Sequence, residues 1–292
     1  MADFVVHWVD AFTDRPFGGN GCAVIHHAAH LDDETCLAFV RETSLVECTF
    51  LGPSDVADVR VRYFLASREI PFAGHPTVAS VVAAHAAGTI GTGDVTLETL
   101  AGIIPVHLSE DGKRVTMRQI APEFGPVVDT ELAAAAIGLR AEDIIAPPQM
   151  VSTGLPFIIT LLRDRVALCC AALNASAIEA MNNTLGEFGA DVMEPFLSTL
   201  GGFTKQGDTF SRLLLLPPSP SEDPFTGSAT GALASYLWTH GLIETPEFVA
   251  EQGHAMGRPG RADVRLIGQR DAIEGVEVAG AGYILMSGTL HL

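Results

Sequence analysis

A seven-residue segment occurs twice in this chain, and the duplication constrains the fold more than any other feature. Pro71–Thr77 (PFAGHPT) is echoed by Pro224–Thr230 (PFTGSAT), with an offset of 227 − 74 = 153 positions between the two. That offset is about half of the 292 residues, and Gly88 and Gly241 recur at the same spacing. A duplicated chain is expected to fold as two similar lobes. The predicted place for chemistry is the cleft where the two turns face each other.

Each repeated turn leads into a long apolar segment that ends at a glycine, which is typical of a helix with a glycine C-cap. The remaining segments of both halves are rich in β-formers, so we predict an α+β fold in which each mostly antiparallel, barrel-like sheet wraps its own central helix. Two prolines and a glycine within residues 121–126 mark the predicted boundary. The predicted lobes are residues 1–122 and 123–292.

The sequence also predicts the secondary structure of three further segments. Asp32 to Glu42 is expected to be a helix that has Asp32 or Asp33 as its N-cap. Ala167 to Ala171, which contains Cys169 and Cys170, is expected to be a buried strand because it is apolar. Phe188 to Met193 is expected to be another strand.

Composition excludes several classes of protein. Hydrophobic residues make up 48% of the chain and charged residues 18%, which allows a substantial core and argues against disorder. The net charge of −18 would repel phosphate backbones and anionic membranes, so we expect neither nucleic acid nor membrane as a partner. A local site can still bind an anionic substrate.

Cysteine usage and the N-terminus indicate a cytoplasmic protein. The five cysteines are an odd number and none forms a CxxC pair, which favours reduced thiols over a disulfide framework. The first residues lack the basic and apolar regions of a signal peptide. No apolar run is long enough to cross a membrane.

The repeated turns are candidate anion sites. A helix N-terminus presents N–H groups and about half a positive charge, and glycine lets a ligand approach the backbone closely. Two such ends at one cleft would hold a carboxylate well. Both turns can instead be capped turns inherited from an ancestral repeat. His75 in the first turn and Asp223 just before the second favour a functional site.

Weaker signals point elsewhere. His26, His27 and His30 suggest a metal site, but they follow a strand and match no zinc spacing, so a solvated loop is the favoured interpretation. Gly18–Gly21 lacks the lysine of a phosphate-binding loop. Cys48 could be a nucleophile, although no residue in the sequence is visibly its base. We therefore predict no metal site.

Several motifs, taken together and in order, resemble the phenazine biosynthesis PhzF-like family. They cover nearly the whole chain, and they comprise residues 9–20, 47–50, 71–77, 151–156, 222–229, 252–253 and 257–259. The resemblance implies the diaminopimelate epimerase-like fold, with two pseudo-symmetric lobes and the site between them. It also implies an isomerase without a cofactor, and a homodimer.

The resemblance also assigns roles to residues. Glu47 is implied as the acid/base, with His75 and Asp223 beside it as further catalytic residues. The substrate-binding residues implied are Asn20, Gly74, Gly227 and Ser228. Racemases of the wider fold use two cysteines, and the equivalent positions here are Ala73 and Thr226, which cannot exchange protons near neutral pH.

Residue chemistry is compatible with this role for Glu47, because its apolar strand would remove water and raise the pKa of its carboxyl toward the working pH. From the residues alone, Glu47 can equally be a salt-bridged edge residue, His75 a capping histidine, and Asp223 a turn former. The preferred hypothesis is isomerisation of a small carboxylate by proton transfer through Glu47. An epimerase or racemase, and a small-molecule binding protein without turnover, are the alternatives.

Overall fold

The computed structural model of the chain describes residues 2–186, 189, 192–217 and 219–292. They form two compact units. Unit 1 comprises Met1–Met117 and Ala279–Leu292, and unit 2 comprises Arg118–Val278. The predicted lobes, divided between residues 122 and 123, stay a prediction. The bounds of the compact units differ from them mainly because the C-terminal segment belongs to unit 1, where it pairs with the first strand.

Unit 1 is a sheet that closes on itself around a helix. Its strands are β1 (Asp3–Ala11), β2 (Asn20–Ile25), β3 (Glu47–Gly52), β4 (Val59–Leu65), β5 (Glu69–Ile70), β6 (Gly93–Thr99), β7 (Gly102–Leu108), most of β8 (Arg114–Gln119) and the end of β17 (Ala272–His291). Apart from the β2–β3 and β4–β6 pairs, which are parallel, the pairing is antiparallel. β17 pairs with both β1 and β8, which closes the barrel.

The helix inside unit 1 is α2 (Gly74–Ala86), and the other helix of this unit is α1 (Asp33–Thr43). Residues 74–84 of α2 are all buried, and α2 contacts β1, β2 and β3. A helix that is apolar on every side must be enclosed, because no face of it is suited to water. Asp32 caps α1 through a hydrogen bond from Thr35 N, as the sequence predicts.

Unit 2 repeats this arrangement. Its strands are β9 (Glu123–Val127), β10 (Gln149–Ser152), β11 (Pro156–Leu161), β12 (Met193–Leu200), β13 (Thr209–Leu214), β14 (Glu222–Asp223), β15 (Glu247–Gln252) and β16 (Gly260–Gln269), with the start of β17. Its helices are α3 (Thr130–Ala136), α4 (Arg165–Cys170), α5 (Ala175–Asn183) and α6 (Gly227–Thr239). Here too the parallel pairs, β11–β12 and β13–β15, alternate with antiparallel ones.

The central helix of unit 2 is α6, which is buried over most of its length and contacts β10, β11 and β16. α2 and α6 both contain 13 residues, and their ends are separated by the same offset as the two turns, 227 − 74 = 239 − 86 = 153. The short strands β5 and β14 also share that offset. The predicted α+β fold, with each sheet wrapped around its own helix, is confirmed.

Two sequence predictions fail or lie outside the described residues. Residues 165–170 form helix α4 instead of the predicted strand, and Cys169 and Cys170 are exposed. The cause is Asp164, whose carboxylate accepts a hydrogen bond from Ala167 N and begins the helix. Of the strand predicted from Phe188 to Met193, residues 188, 190 and 191 lie outside the described residues, and β12 begins at Met193.

Candidate active site

Glu47 is the first residue of β3 and lies next to α2. Its backbone is paired with Cys22 of β2 and with Leu65 of β4, so both neighbouring strands fix its position. The side chain is 14% exposed, and its Oε2 lies 4.0 Å from Nδ1 of His75. The structure thus brings together two of the predicted catalytic residues in unit 1.

His75 is the second residue of α2, and Asn20 is the first residue of β2. The Asn20 amide nitrogen lies 3.0 Å from Nδ1 of His75, and both side chains are buried. An amide NH2 group can only donate, so Nδ1 accepts, and neutral His75 carries its proton on Nε2. This tautomer follows from the orientation of the Asn20 amide. Asn20 therefore sets which ring nitrogen of His75 is a donor.

Alternation along β3 separates Glu47 from its neighbour Cys48. Cys48 packs into the core cluster that contains Phe50 and Phe64, and burial raises the pKa of its thiol to about 11. A thiol with that pKa stays protonated near neutral pH and is a poor nucleophile. Thr49 lies on the same side of the strand as Glu47 and accepts a hydrogen bond from Ser80 of α2.

The second predicted group lies in unit 2. Asp223 ends β14 and is 6% exposed, and its Oδ2 accepts a 2.6 Å hydrogen bond from the hydroxyl of Thr226. Gly227 is the first residue of α6 and is buried, whereas Ser228 is partly exposed.

Both central helices begin without a side-chain cap. Ala73 is the N-cap of α2 and Thr226 the N-cap of α6, and neither side chain accepts a hydrogen bond from the helix. A capping threonine normally does so, and losing such a cap typically costs about 1 kcal/mol. The first turns at Gly74 and Gly227 therefore keep N–H groups that no N-cap side chain binds.

Two residues that sequence reasoning missed hold the first turn of α6. Gln119 donates from its amide to the carbonyl of Gly227 at 2.9 Å. Thr153 donates to Gln119 Oε1 at 2.6 Å and contacts the carbonyl of Ser228 at 3.4 Å. Thr153 lies in a motif that the resemblance includes, but Gln119 has no sequence signal of its own.

Of the histidines after β2, His27 and His30 are exposed, as the predicted solvated loop requires, whereas His26 is buried. His26 is 3% exposed, and its Nε2 lies 2.8 Å from Nδ1 of His7 on β1. Burial, together with the charges of His7 and His27, lowers the pKa of His26 to about 4. Among the described residues, no group of three or more His, Cys, Asp or Glu side chains is arranged to hold a metal ion.

Every helix in the part of the chain that the structure describes is too short or too polar to span a lipid bilayer.

Comparison with known proteins assigns the chain to a family. The model of the family described as phenazine biosynthesis-like protein matches residues 9–288. The uncharacterized isomerase YddE of Salmonella typhimurium is 34% identical in an alignment of 295 positions, which covers 96% of each of the two chains. The trans-2,3-dihydro-3-hydroxyanthranilate isomerase of Pseudomonas aeruginosa is 31% identical, and the alignment covers 97% of this chain and 98% of the relative. The crystal structure of a PhzF-family phenazine biosynthesis protein from Bacillus anthracis matches with a TM-score of 0.87 and 25% identity, over 100% of both chains. The chain therefore belongs to the phenazine biosynthesis-like (PhzF) family of isomerases.

Proposed function

We propose that the protein isomerises a small carboxylate without a cofactor, and that Glu47 carries the proton from one carbon of the substrate to another. The observation that supports this most is the Glu47 carboxylate itself. It is largely shielded from water, is held at the start of β3, and lies 4.0 Å from His75 next to the helix that begins at Gly74.

A single carboxyl group is sufficient for this reaction. It removes a proton from one carbon and returns it, on the same face, to the far carbon of the adjoining double bond, so that the double bond moves by one position and no second base is required. A two-base thiol mechanism needs cysteines on both faces of one carbon, and Ala73 and Thr226 occupy those positions. Isomerisation through Glu47 therefore fits the available side chains better than thiol-dependent epimerisation.

His75 is proposed to stabilise negative charge on the substrate. Because Asn20 donates to Nδ1, the neutral ring presents its proton at Nε2. A donor fixed in this way can bind a substrate oxygen on which charge develops when Glu47 removes the proton. The ring can also return a proton, since histidine exchanges protons near neutral pH.

The remaining residues are proposed to bind the substrate. Gly74, Gly227 and Ser228 lie in first turns whose N–H groups have no N-cap side chain as a partner, which suits a carboxylate. Asp223 is acidic and suits a substrate amine or hydroxyl. The P. aeruginosa relative is named for a dihydro-hydroxyanthranilate, so we propose an unsaturated amino or hydroxy carboxylate as the substrate class.

The test is incubation of candidate substrates in D₂O, followed by NMR. The panel includes trans-2,3-dihydro-3-hydroxyanthranilate with other unsaturated cyclic and amino carboxylates, and no cofactor is added. Deuterium at a new carbon together with a shifted double bond supports the proposal. Deuterium at one inverted stereocentre would identify an epimerase. Tight binding without exchange at any carbon would identify a binding protein.

Replacing the proposed acid/base provides the first prediction. Glu47→Gln keeps the shape of the side chain but removes its proton transfer, so we expect turnover to fall on the order of 10²–10⁴-fold. Glu179→Gln, on the exposed face of α5, is the matched control and should turn over normally. Normal turnover of Glu47→Gln would remove Glu47 from the mechanism.

We also propose a homodimer located in the cytoplasm. Val5, Tyr283 and Met286 are 49%, 38% and 55% exposed on the paired strands β1 and β17, and such apolar side chains suit a contact between copies. All five cysteines are free thiols, which fits a reducing compartment. Light scattering at several concentrations tests the dimer, and cell fractionation tests the location.

A further inference from the structure

The hydroxyl of Thr226 is directed away from the helix that it begins. Thr226 is the N-cap of α6, yet its Oγ1 donates to Oδ2 of Asp223 at 2.6 Å instead of accepting from the helix. A hydroxyl has one hydrogen to donate, and a short O–H···O⁻ hydrogen bond is among the stronger ones in proteins. The helix loses a side-chain cap so that the Asp223 carboxylate gains a donor.

Gln252 fixes the direction of that hydroxyl. Its Nε2 donates to Thr226 Oγ1 at 3.1 Å and to the carbonyl of Asp223 at 2.8 Å, and its Oε1 accepts from Thr226 N at 3.1 Å. Because the hydroxyl oxygen accepts from Gln252, its own hydrogen points toward Asp223. Gln252 is 1% exposed, so water does not compete for these contacts. The amide also ties together the two ends of the turn between Asp223 and Thr226.

The contacts of Asp223, Thr226 and Gln252 at the start of α6 can be compared with those at the start of α2, which show what the shared fold requires. Thr230 donates to the carbonyl of Thr226, and Thr77 makes the same contact with Ala73 at the equivalent position of α2. Those contacts recur, so they belong to the shared architecture. The Asp223, Thr226 and Gln252 set does not recur, since the positions 153 residues earlier hold Ile70, Ala73 and Thr99.

We infer that Thr226 and Gln252 are positioning residues that hold the Asp223 carboxylate in one direction for the isomerase reaction. The inference rests on the proposed role of Asp223. Thr226 and Gln252 act through that carboxylate, so they govern how a substrate amine or hydroxyl is oriented without taking part in proton transfer themselves.

The experiment compares the turnover of Thr226→Val, Thr226→Ser and Asp223→Asn. Turnover is measured as deuterium incorporation into whichever candidate substrate of the D₂O panel the wild-type protein labels. Thr226→Val should lower kcat/KM about 10- to 100-fold, the size expected for losing a hydrogen bond to a charged group. Thr226→Ser keeps the hydroxyl and should restore most of the activity. Adding Thr226→Val to Asp223→Asn should cost little more, because the hydroxyl acts only through that carboxylate.

Thr160→Val is the matched control, because Thr160 is also a buried threonine of unit 2 and bonds only to the carbonyl of Ile158 among the contacts described. Its turnover should stay at the wild-type level. Crystal structures of the two Thr226 variants supply a readout that needs no substrate. The Asp223 carboxylate should change direction in Thr226→Val and keep it in Thr226→Ser.

The possible failures are distinguishable. If Thr226→Val matches wild type in turnover and leaves the Asp223 side chain in place while Asp223→Asn is impaired, the positioning role is wrong and the proposed function stands. If Asp223→Asn and Glu47→Gln both turn over normally, the proposed function fails, and the inference fails with it.

Discussion

Gln119 occupies the space that a β-carbon on Gly231 would need. A Cβ built at Gly231 would lie 1.8 Å from Oε1 of Gln119. Gln119 cannot move aside cheaply, because Thr153 and Gly227 bind both ends of its amide and it is 6% exposed. Glycine inside α6 is therefore required by a neighbouring side chain and not by the backbone of the helix.

The prediction concerns Gly231→Ala. Alanine is ordinarily about 1 kcal/mol better than glycine inside a helix. Here overpacking should reverse the sign, and we expect a loss of about 1–3 kcal/mol in the free energy of unfolding, measured by urea denaturation. Gly91→Ala is the control, since nothing lies within 4 Å of its β-carbon position. Equal stability of the two variants would contradict the argument, and adding Gln119→Ala to Gly231→Ala should recover part of the loss.

At the scale of elements, the hairpin of β1 and β2 carries a pair of histidines in contact. The 2.8 Å contact between His7 and His26 requires that at least one ring be neutral. Folding lowers the pKa of His26 from 6.5 to about 4, chiefly by burial, so the folded state favours the neutral ring. The resulting stabilisation is complete above pH 6.5 and is lost as the pH falls from about 6.5 to about 4.

We therefore expect the melting temperature of the wild type to fall over that pH window more steeply than that of His26→Gln. Between pH 6.5 and about pH 4 the wild type should lose on the order of 1–2 kcal/mol more free energy of unfolding than His26→Gln, once screening by solvent is allowed for. His30→Gln, at an exposed position after the same strand, is the control and should keep the wild-type pH response. Parallel pH profiles for the wild type and His26→Gln would refute the argument.

The elements also show what the sequence can and cannot predict. Local patterns predict the two central helices, the 153-residue offset between them and the cap at Asp32. They do so because glycine, proline and capping residues act on their own neighbours. The sequence predicts a strand at the position of helix α4 because its apolar residues fit either structure, and the cap at Asp164 is what favours the helix. Gln119 could not be predicted, because its contacts with Thr153 and Gly227 join residues that are distant in the sequence.

For the whole molecule, charge is the property that single contacts do not reveal. The chain has 35 acidic and 17 basic residues, so its acidic groups cannot all be paired. Two largely buried pairs, Arg62 with Glu69 and Arg212 with Glu222, have side chains only 8–16% exposed and are weakly screened by salt. Exposed pairs such as Arg265 with Glu277 contribute only about 0–1 kcal/mol each. Repulsion among unpaired carboxylates is therefore the larger salt-sensitive contribution.

Added salt should consequently stabilise the protein at neutral pH. Raising the ionic strength from about 0.01 M to about 0.15 M shortens the screening length from about 30 Å to about 8 Å, which weakens the self-repulsion that a charge of −18 creates. We expect the melting temperature at pH 7 to rise over this range of sodium chloride. The rise should shrink near pH 5, close to the isoelectric point of 4.8, because the net charge is then small. A melting temperature that falls with salt at pH 7 would mean that the screened ion pairs outweigh the repulsion.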